Sequence, residues 1–155
     1  MVGFDQYSLG KRGLGLQKQK HTEPMATQIF VNLPVKALEP SVTFFTQLGY
    51  SFNPEYTDEN ATCMVISETI YVMLLVEPFF QTFTKKAVAD AQQTAEVIVS
   101  LSLESRAAVD DMIQKALAAG ATTPTPAKDM GFMYQHGFQD PDGHLWEFFY
   151  MQPNA

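Results

Sequence analysis

The chain has 155 residues, 46% apolar and 17% charged, with 10 Lys plus Arg against 17 Asp plus Glu and a net charge of -7. That balance describes one ordinary globular domain, and the acidic surplus argues against a nucleic-acid partner, which calls for a basic face. A single cysteine, Cys63, excludes an internal disulfide framework and a Cys-rich zinc site, and no apolar run nears the roughly 18 residues a membrane span needs.

Charge is unevenly spread. Residues 1–24 hold Lys11, Arg12, Lys18 and Lys20 against Asp5 and Glu23, so the acidic surplus belongs to residues 25–155. The leading segment is rich in Gly, Gln and Lys (GKRGLGLQKQKHTEP) and has no apolar period, which reads as a disordered extension. It lacks the apolar stretch of a signal peptide, so the expectation is a cytoplasmic protein. MATQIFVNLP looks like a natural start, which puts the folded domain at 25–155.

In chain order, Gln28–Val35 alternates as a half-buried strand does. Glu39–Leu48 carries Val42, Phe45 and Leu48 at helical spacing, and Gly49 follows as a stop. Strand-like runs then cover Tyr50–Tyr56, Ala61–Ser67 and Thr69–Glu77, separated by the turn signals Asp58-Glu59-Asn60 and Ser67-Glu68. The connector 78–95 (PFFQTFTKKAVADAQQTA) is aromatic at its start and should contain a short helix.

The second half repeats the order. Glu96–Leu103 is a strand, Ser105 caps a helix to about Ala119 with Val109, Met112, Ile113 and Leu117 on one face, and Gly120 ends it. A weak strand is expected near Thr122–Ala127. Gly131–Gln139 and His144–Met151 are strands joined by Asp140-Pro141-Asp142-Gly143. Val31, Leu33 and Val35 match Val99, Leu101 and Leu103 at a constant offset, the mark of an internal duplication. Two βαβββ modules, about 28–77 and 96–151, make an α+β fold. The expected result is an eight-stranded, mostly antiparallel curved sheet, a cup with helices on its outer face.

Residues 33–45 (LPVKALEPSVTFF) with Leu48-Gly49-Tyr50, and the closing run Asp140-Pro141-Asp142-Gly143-His144-Leu145-Trp146-Glu147, resemble the opening and closing signatures of the vicinal oxygen chelate superfamily. That superfamily includes glyoxalase I, bleomycin-resistance proteins, fosfomycin-resistance enzymes and extradiol dioxygenases. The likeness is nearest to glyoxalase-like proteins described as lactoylglutathione lyases, and it covers residues 28–151. It implies a divalent metal (Zn, Ni, Mn or Fe) held in the cup by His, Gln or Glu from the first and last strands of each half. Carried over one position at a time, the ligands fall on Glu147 and Glu96 in the second half. In the first half they fall on Phe30, which cannot bind a metal, and on Met73 or Leu75, with Glu77 two residues beyond. The resemblance therefore implies an incomplete metal site and no nucleotide cofactor.

Strand parity offers a separate clue. If Gln139 and His144 close the last hairpin, His136 faces Glu147, Tyr134 faces Phe149 and Phe138 faces Leu145, and opposed residues share a face. Glu147 and His136 are then the candidate catalytic pair, with the carboxylate fixing the tautomer of a general base. Phe30, Asn32, Met73, Leu75, Phe79, Phe80, Tyr134 and Phe149 would line the cup. The plainer readings are a structural carboxylate at Glu147, a cross-strand hydrogen bond at His136, a solvated strand end at Glu96, ordinary core at the connector phenylalanines and a surface position for His144.

Two functions follow. One is a glyoxalase-like enzyme acting on a small carbonyl or glutathione-linked compound. The other is a metal-free protein that binds or sequesters a small molecule, as in bleomycin resistance. A third possibility is an interaction module with a vestigial cup. The resemblance also implies a homodimer, while the acidic balance and the lack of a long apolar run lead us to expect no nucleic-acid or membrane partner.

Overall fold

The computed structural model describes residues 24–154. The expectation of a disordered extension at 1–24 falls, except for Pro24, outside the described residues.

The first module runs β1 (Ile29–Val35), α1 (Leu38–Gln47), β2 (Ser51–Asn53), β3 (Ala61–Val65) and β4 (Ile70–Val76). A short helix, α2 (Glu77–Gln81), opens the connector. The second module runs β5 (Ile98–Ser102), α3 (Arg106–Ala118), β6 (Lys128–Asp129), β7 (Met133–Gln139) and β8 (Leu145–Met151). Two four-stranded sheets result, with orders β1-β4-β3-β2 and β5-β8-β7-β6. In each, the first strand pairs parallel with the last and the other pairs are antiparallel. The duplication inferred from the 31/99 spacing is thus a duplication of topology, in two separate sheets rather than one continuous eight-stranded sheet.

Local chemistry sets the element ends. Gly49 and Gly120 close α1 and α3 at φ 101 and 107, the left-handed region that a side chain disfavours. Ser105 caps α3 by accepting the Ala108 N–H at 3.0 Å. The second strand stops earlier than its apolar run suggests, because Pro54 starts a 3-10 turn whose cap, Asn53, accepts the Glu55 N–H. The weak strand near 122–127 shrinks to one bridge from Thr122 to Gln139 before β6. Pro124 and Pro126 have no N–H to give a ladder.

The core lies between the helices and one face of each sheet, and it is shared. Leu33, Val35, Phe44, Phe45, Met64, Val72 and Leu74 of the first module form one cluster with Val109, Ile113, Phe138, Trp146 and Phe148 of the second. Phe45 sits 5.0 Å from Trp146 between ring centroids, and Phe44 lies 5.8 Å edge-on to Phe138. Each such fully buried side chain contributes on the order of 1.5–3 kcal/mol. The opposite sheet faces carry Phe30, Asn32 and Met73 in the first module and Ser100, Glu147 and Phe149 in the second, by the period-two alternation from the buried positions.

The register of the last hairpin differs from the expected one by a residue. Gln139 pairs with Leu145, so Glu147 stands opposite Gly137, and His136 opposite Phe148. The reason is the turn. Asp140 N donates to the His144 carbonyl at 2.9 Å, leaving a three-residue loop, Pro141–Gly143, with Gly143 at φ 98. The Asp140 carboxylate takes up the Asp142 and His144 N–H groups and so stabilises that loop. A one-residue shift exchanges the two faces of a strand. His136, Tyr134 and Phe138 therefore share the parity of the helix-covered face, and Glu147 does not.

Candidate functional site

The shift separates the expected catalytic pair. His136 Nε2 lies 3.2 Å from the Thr125 carbonyl, and Tyr134 donates its hydroxyl to Asp110 on α3 at 2.6 Å, with Arg106 5.2 Å above its ring. Tyr134 thus belongs to an α3–β7 contact rather than to a cup. Hydrogen bonding to Asp110 raises its pKa, while Arg106, bridging both Asp129 oxygens, holds that carboxyl at about 2.

Glu147 stays on the uncovered face. Its carboxylate accepts from Ser100 Oγ at 3.0 Å on the adjacent strand and from Gln135 Nε2 at 3.4 Å. Its cross-strand neighbour, Gly137, has no side chain, and a Cβ there would meet the Trp146 carbonyl oxygen at 2.6 Å. The carboxylate thereby faces a small cleft of about 220 Å³ between β7, β8 and the 124–128 loop.

Glu96 and Glu77 lie elsewhere. Glu77 is the first residue of α2, and Glu96 precedes β5 at the wall of a second cavity. Among the described residues, no three His, Cys, Asp or Glu side chains come together as a metal site would require. The Phe30 position, stacked 4.8 Å from Tyr71, supplies no donor. The residues of one chain therefore do not fit the divalent metal that the resemblance implies.

The larger cavity, about 450 Å³, lies between β1, the connector and the start of β8. Val31–Pro34 form one wall, alanines 87, 89, 91 and 95 with Phe80 a second, and Gly143–Leu145 a third. Of the expected lining residues it gathers Asn32 and Phe80, together with Glu96. Met73, Leu75 and Phe30 occupy the helix-free face of the first sheet, Phe149 that of the second, and Phe79 packs edge-on to Phe83 at 5.1 Å.

His144 is the residue that parity missed. It is 8% exposed, and its Nε2 lies 2.6 Å from the Pro34 carbonyl. Its neighbour Asp140, also buried, accepts the Trp146 indole N–H at 3.0 Å, and burial pushes its carboxyl up. Asp142 of the same turn accepts from the Lys36 N–H and the Ser41 hydroxyl. Asp142 and His144 of the closing signature thus fasten the second module onto the first beside the cavity, and Asp140 braces the turn that carries them.

Two modules of this topology, each with a parallel first–last strand pair and a shared helix-side core, match a known architecture. The fold is that of the vicinal oxygen chelate superfamily. Residues 27–67 match the family model for the bleomycin resistance protein-like N-terminal domain. Among solved structures, the chain is similar to the hypothetical protein SA1046 from S. aureus, with 25% identity over 82% of this chain and 95% of that one, at a TM-score of 0.70. It is also similar to a glyoxalase/bleomycin resistance protein/dioxygenase family enzyme from Burkholderia phytofirmans PsJN (15% identity, 81% of this chain and 99% of that one, TM-score 0.68). A glyoxalase-related enzyme from Fulvimarina pelagi aligns likewise (18%, 81% and 88%, TM-score 0.69). No curated protein matches the chain in sequence. Within the vicinal oxygen chelate fold many chemistries are housed, so the site, not the fold, must carry the functional reading.

Proposed function

We propose that the protein binds and sequesters a small, largely apolar molecule without using a metal, in the manner implied by its likeness to bleomycin-resistance proteins. The observation that carries this reading is the cavity of about 450 Å³ between β1, the connector and β8, within the size range of small-molecule sites and walled mainly by aliphatic side chains. Binding there would be driven by apolar area removed from water, about 25 cal/mol per Å² before the cost of immobilising the ligand. The scattered positions of Glu147, Glu96 and Glu77 give a metal no such place. Elemental analysis of protein purified without chelator tests the proposal. Metal well below one equivalent is expected, and one equivalent per chain would overturn it.

A second reading, a glyoxalase-like enzyme acting on a small carbonyl or glutathione-linked compound, is favoured by one feature. The Glu147 carboxylate is held by Ser100 and Gln135 and opens on a cleft with no side chain opposite. Under this reading Glu147→Gln abolishes turnover of a glutathione hemithioacetal, whereas under the first reading there is no turnover to lose.

We further propose a homodimer. The uncovered sheet faces carry Phe30 at 44%, Ile98 at 56% and Met151 at 54% exposure, apolar surface that a second chain would remove from water. Sedimentation is expected to give twice the chain mass of 17.3 kDa, and a monomer at micromolar concentration would contradict it.

A further inference from the structure

The larger cavity is walled mainly by apolar side chains, with Asn32, Thr84, Lys86, Thr94 and Glu96 also in its lining, and one polar atom of the buried residue His144 is unaccounted for. His144 Nε2 is 2.6 Å from the Pro34 carbonyl oxygen, which can only accept. Nε2 must therefore carry the proton, and in the neutral ring Nδ1 is left as an acceptor. Among the described residues Nδ1 has no hydrogen-bond partner, and no side-chain nitrogen or oxygen that is fully shut off from solvent lacks one. Nδ1 is consequently reached from outside, although His144 as a whole is 8% exposed. The cavity that His144 lines is the one between β1, the connector and β8.

The Pro34 bond fixes one edge of the ring, and the His144 backbone N–H is bound to Asp140 Oδ1 at 3.0 Å. Gly143 beside it packs so closely on the connector that a Cβ would fall 2.6 Å from the Ala91 carbonyl carbon. Such an acceptor discriminates among ligands that cover it, because a polar group shut off from water by a ligand and left unpaired costs more than a paired one gains.

We infer that His144 is a specificity residue of this cavity, selecting small apolar molecules that carry one O–H or N–H donor. The inference rests on the proposed binding function and goes beyond it by naming what the ligand must present. A ligand of the same shape lacking the donor leaves Nδ1 dry and unpaired. Conversely, a hydroxyl entering a cavity without an acceptor would be penalised for its lost water, so the two cases predict opposite orders of affinity.

The test uses the full chain and a matched pair of probes, 2-naphthol and 2-methoxynaphthalene, at about pH 8, where an ordinary imidazole is neutral. Backbone amide NMR locates and quantifies binding, and the imidazole ¹⁵N resonances report on His144. With 3 histidines in the chain the assignment is tractable. The expected result is that both probes perturb residues 31–34 and 87–95, that naphthol binds about fivefold or more tightly, and that only naphthol moves the His144 Nδ1 resonance. Binding of both at this cavity with equal affinity, or with the ether preferred and His144 Nδ1 unmoved, overturns the inference and leaves the binding function standing. Failure of both probes to perturb the cavity at millimolar concentration overturns both.

Discussion

The Asp142 carboxylate accepts a hydrogen bond from the Ser41 hydroxyl at 2.9 Å, across 101 residues of sequence. Its other oxygen takes the Lys36 N–H at 3.0 Å, so the last turn of the second module grips the entry to the first helix of the first. Ser41 is 2% exposed, and losing a charged acceptor there is expected to cost about 1–3 kcal/mol. Asp142→Ala should lower Tm by several degrees, and Ser41→Ala combined with it should add much less than its single effect. Additive losses in thermal denaturation would show that the two side chains do not act as one contact.

Gly143 and Gly131 both have positive φ, 98 and 79, but different surroundings. A Cβ on Gly131 meets nothing within 4 Å, whereas one on Gly143 would strike the Ala91 and Gln92 backbone at 2.6 and 2.7 Å. Gly131→Ala should therefore cost only the backbone strain, about 1 kcal/mol. Gly143→Ala should cost several times that, because the connector must shift as well. Equal midpoints in urea for the two variants would mean that the connector is not held where the cavity requires it.

The Arg106–Asp129 pair gives a pH signature without bearing on the cavity. The Arg106 hydrogen bonds, helped by the Gly131 N–H, hold the Asp129 carboxyl at about 2, below its ordinary value. A depressed folded-state value means that this contribution to stability is present above the unfolded-state value and fades as pH falls toward 2. The Asp129 carboxyl carbon should titrate near 2 by NMR and return to the ordinary carboxylate range in Arg106→Gln. An ordinary titration in the unaltered protein would contradict the pairing.

Much of the fold could be read from residue pattern. Leu33 and Val35 against Phe30 and Asn32 gave the two faces of β1, and Gly49 and Gly120 gave both helix ends, because these signals are local. The Leu33–Phe45 and Asp140–Glu147 motifs carried the superfamily likeness. The facing of the last hairpin was not readable, since it turns on whether the loop holds three residues or four. Asp140 side-chain bonds and the left-handed Gly143 decide that, and one residue moved Tyr134 and His136 to the helix side. His144 was hidden for a related reason. Its partner is the carbonyl of Pro34, 110 positions away, and no periodicity announces a contact between a turn of one module and a strand end of the other. The connector cavity likewise depends on how 82–97 folds back, a segment with little regular structure.

The most direct test of metal-free binding is an amide NMR titration of chelator-treated protein with naphthalene, an apolar probe lacking any metal-binding atom. Saturable shifts are expected at residues 31–34, 87–95 and 143–145 in the absence of metal, unchanged on adding zinc or manganese. Binding that appears only after metal is added, with its shifts centred on Ser100, Gln135 and Glu147, would contradict it.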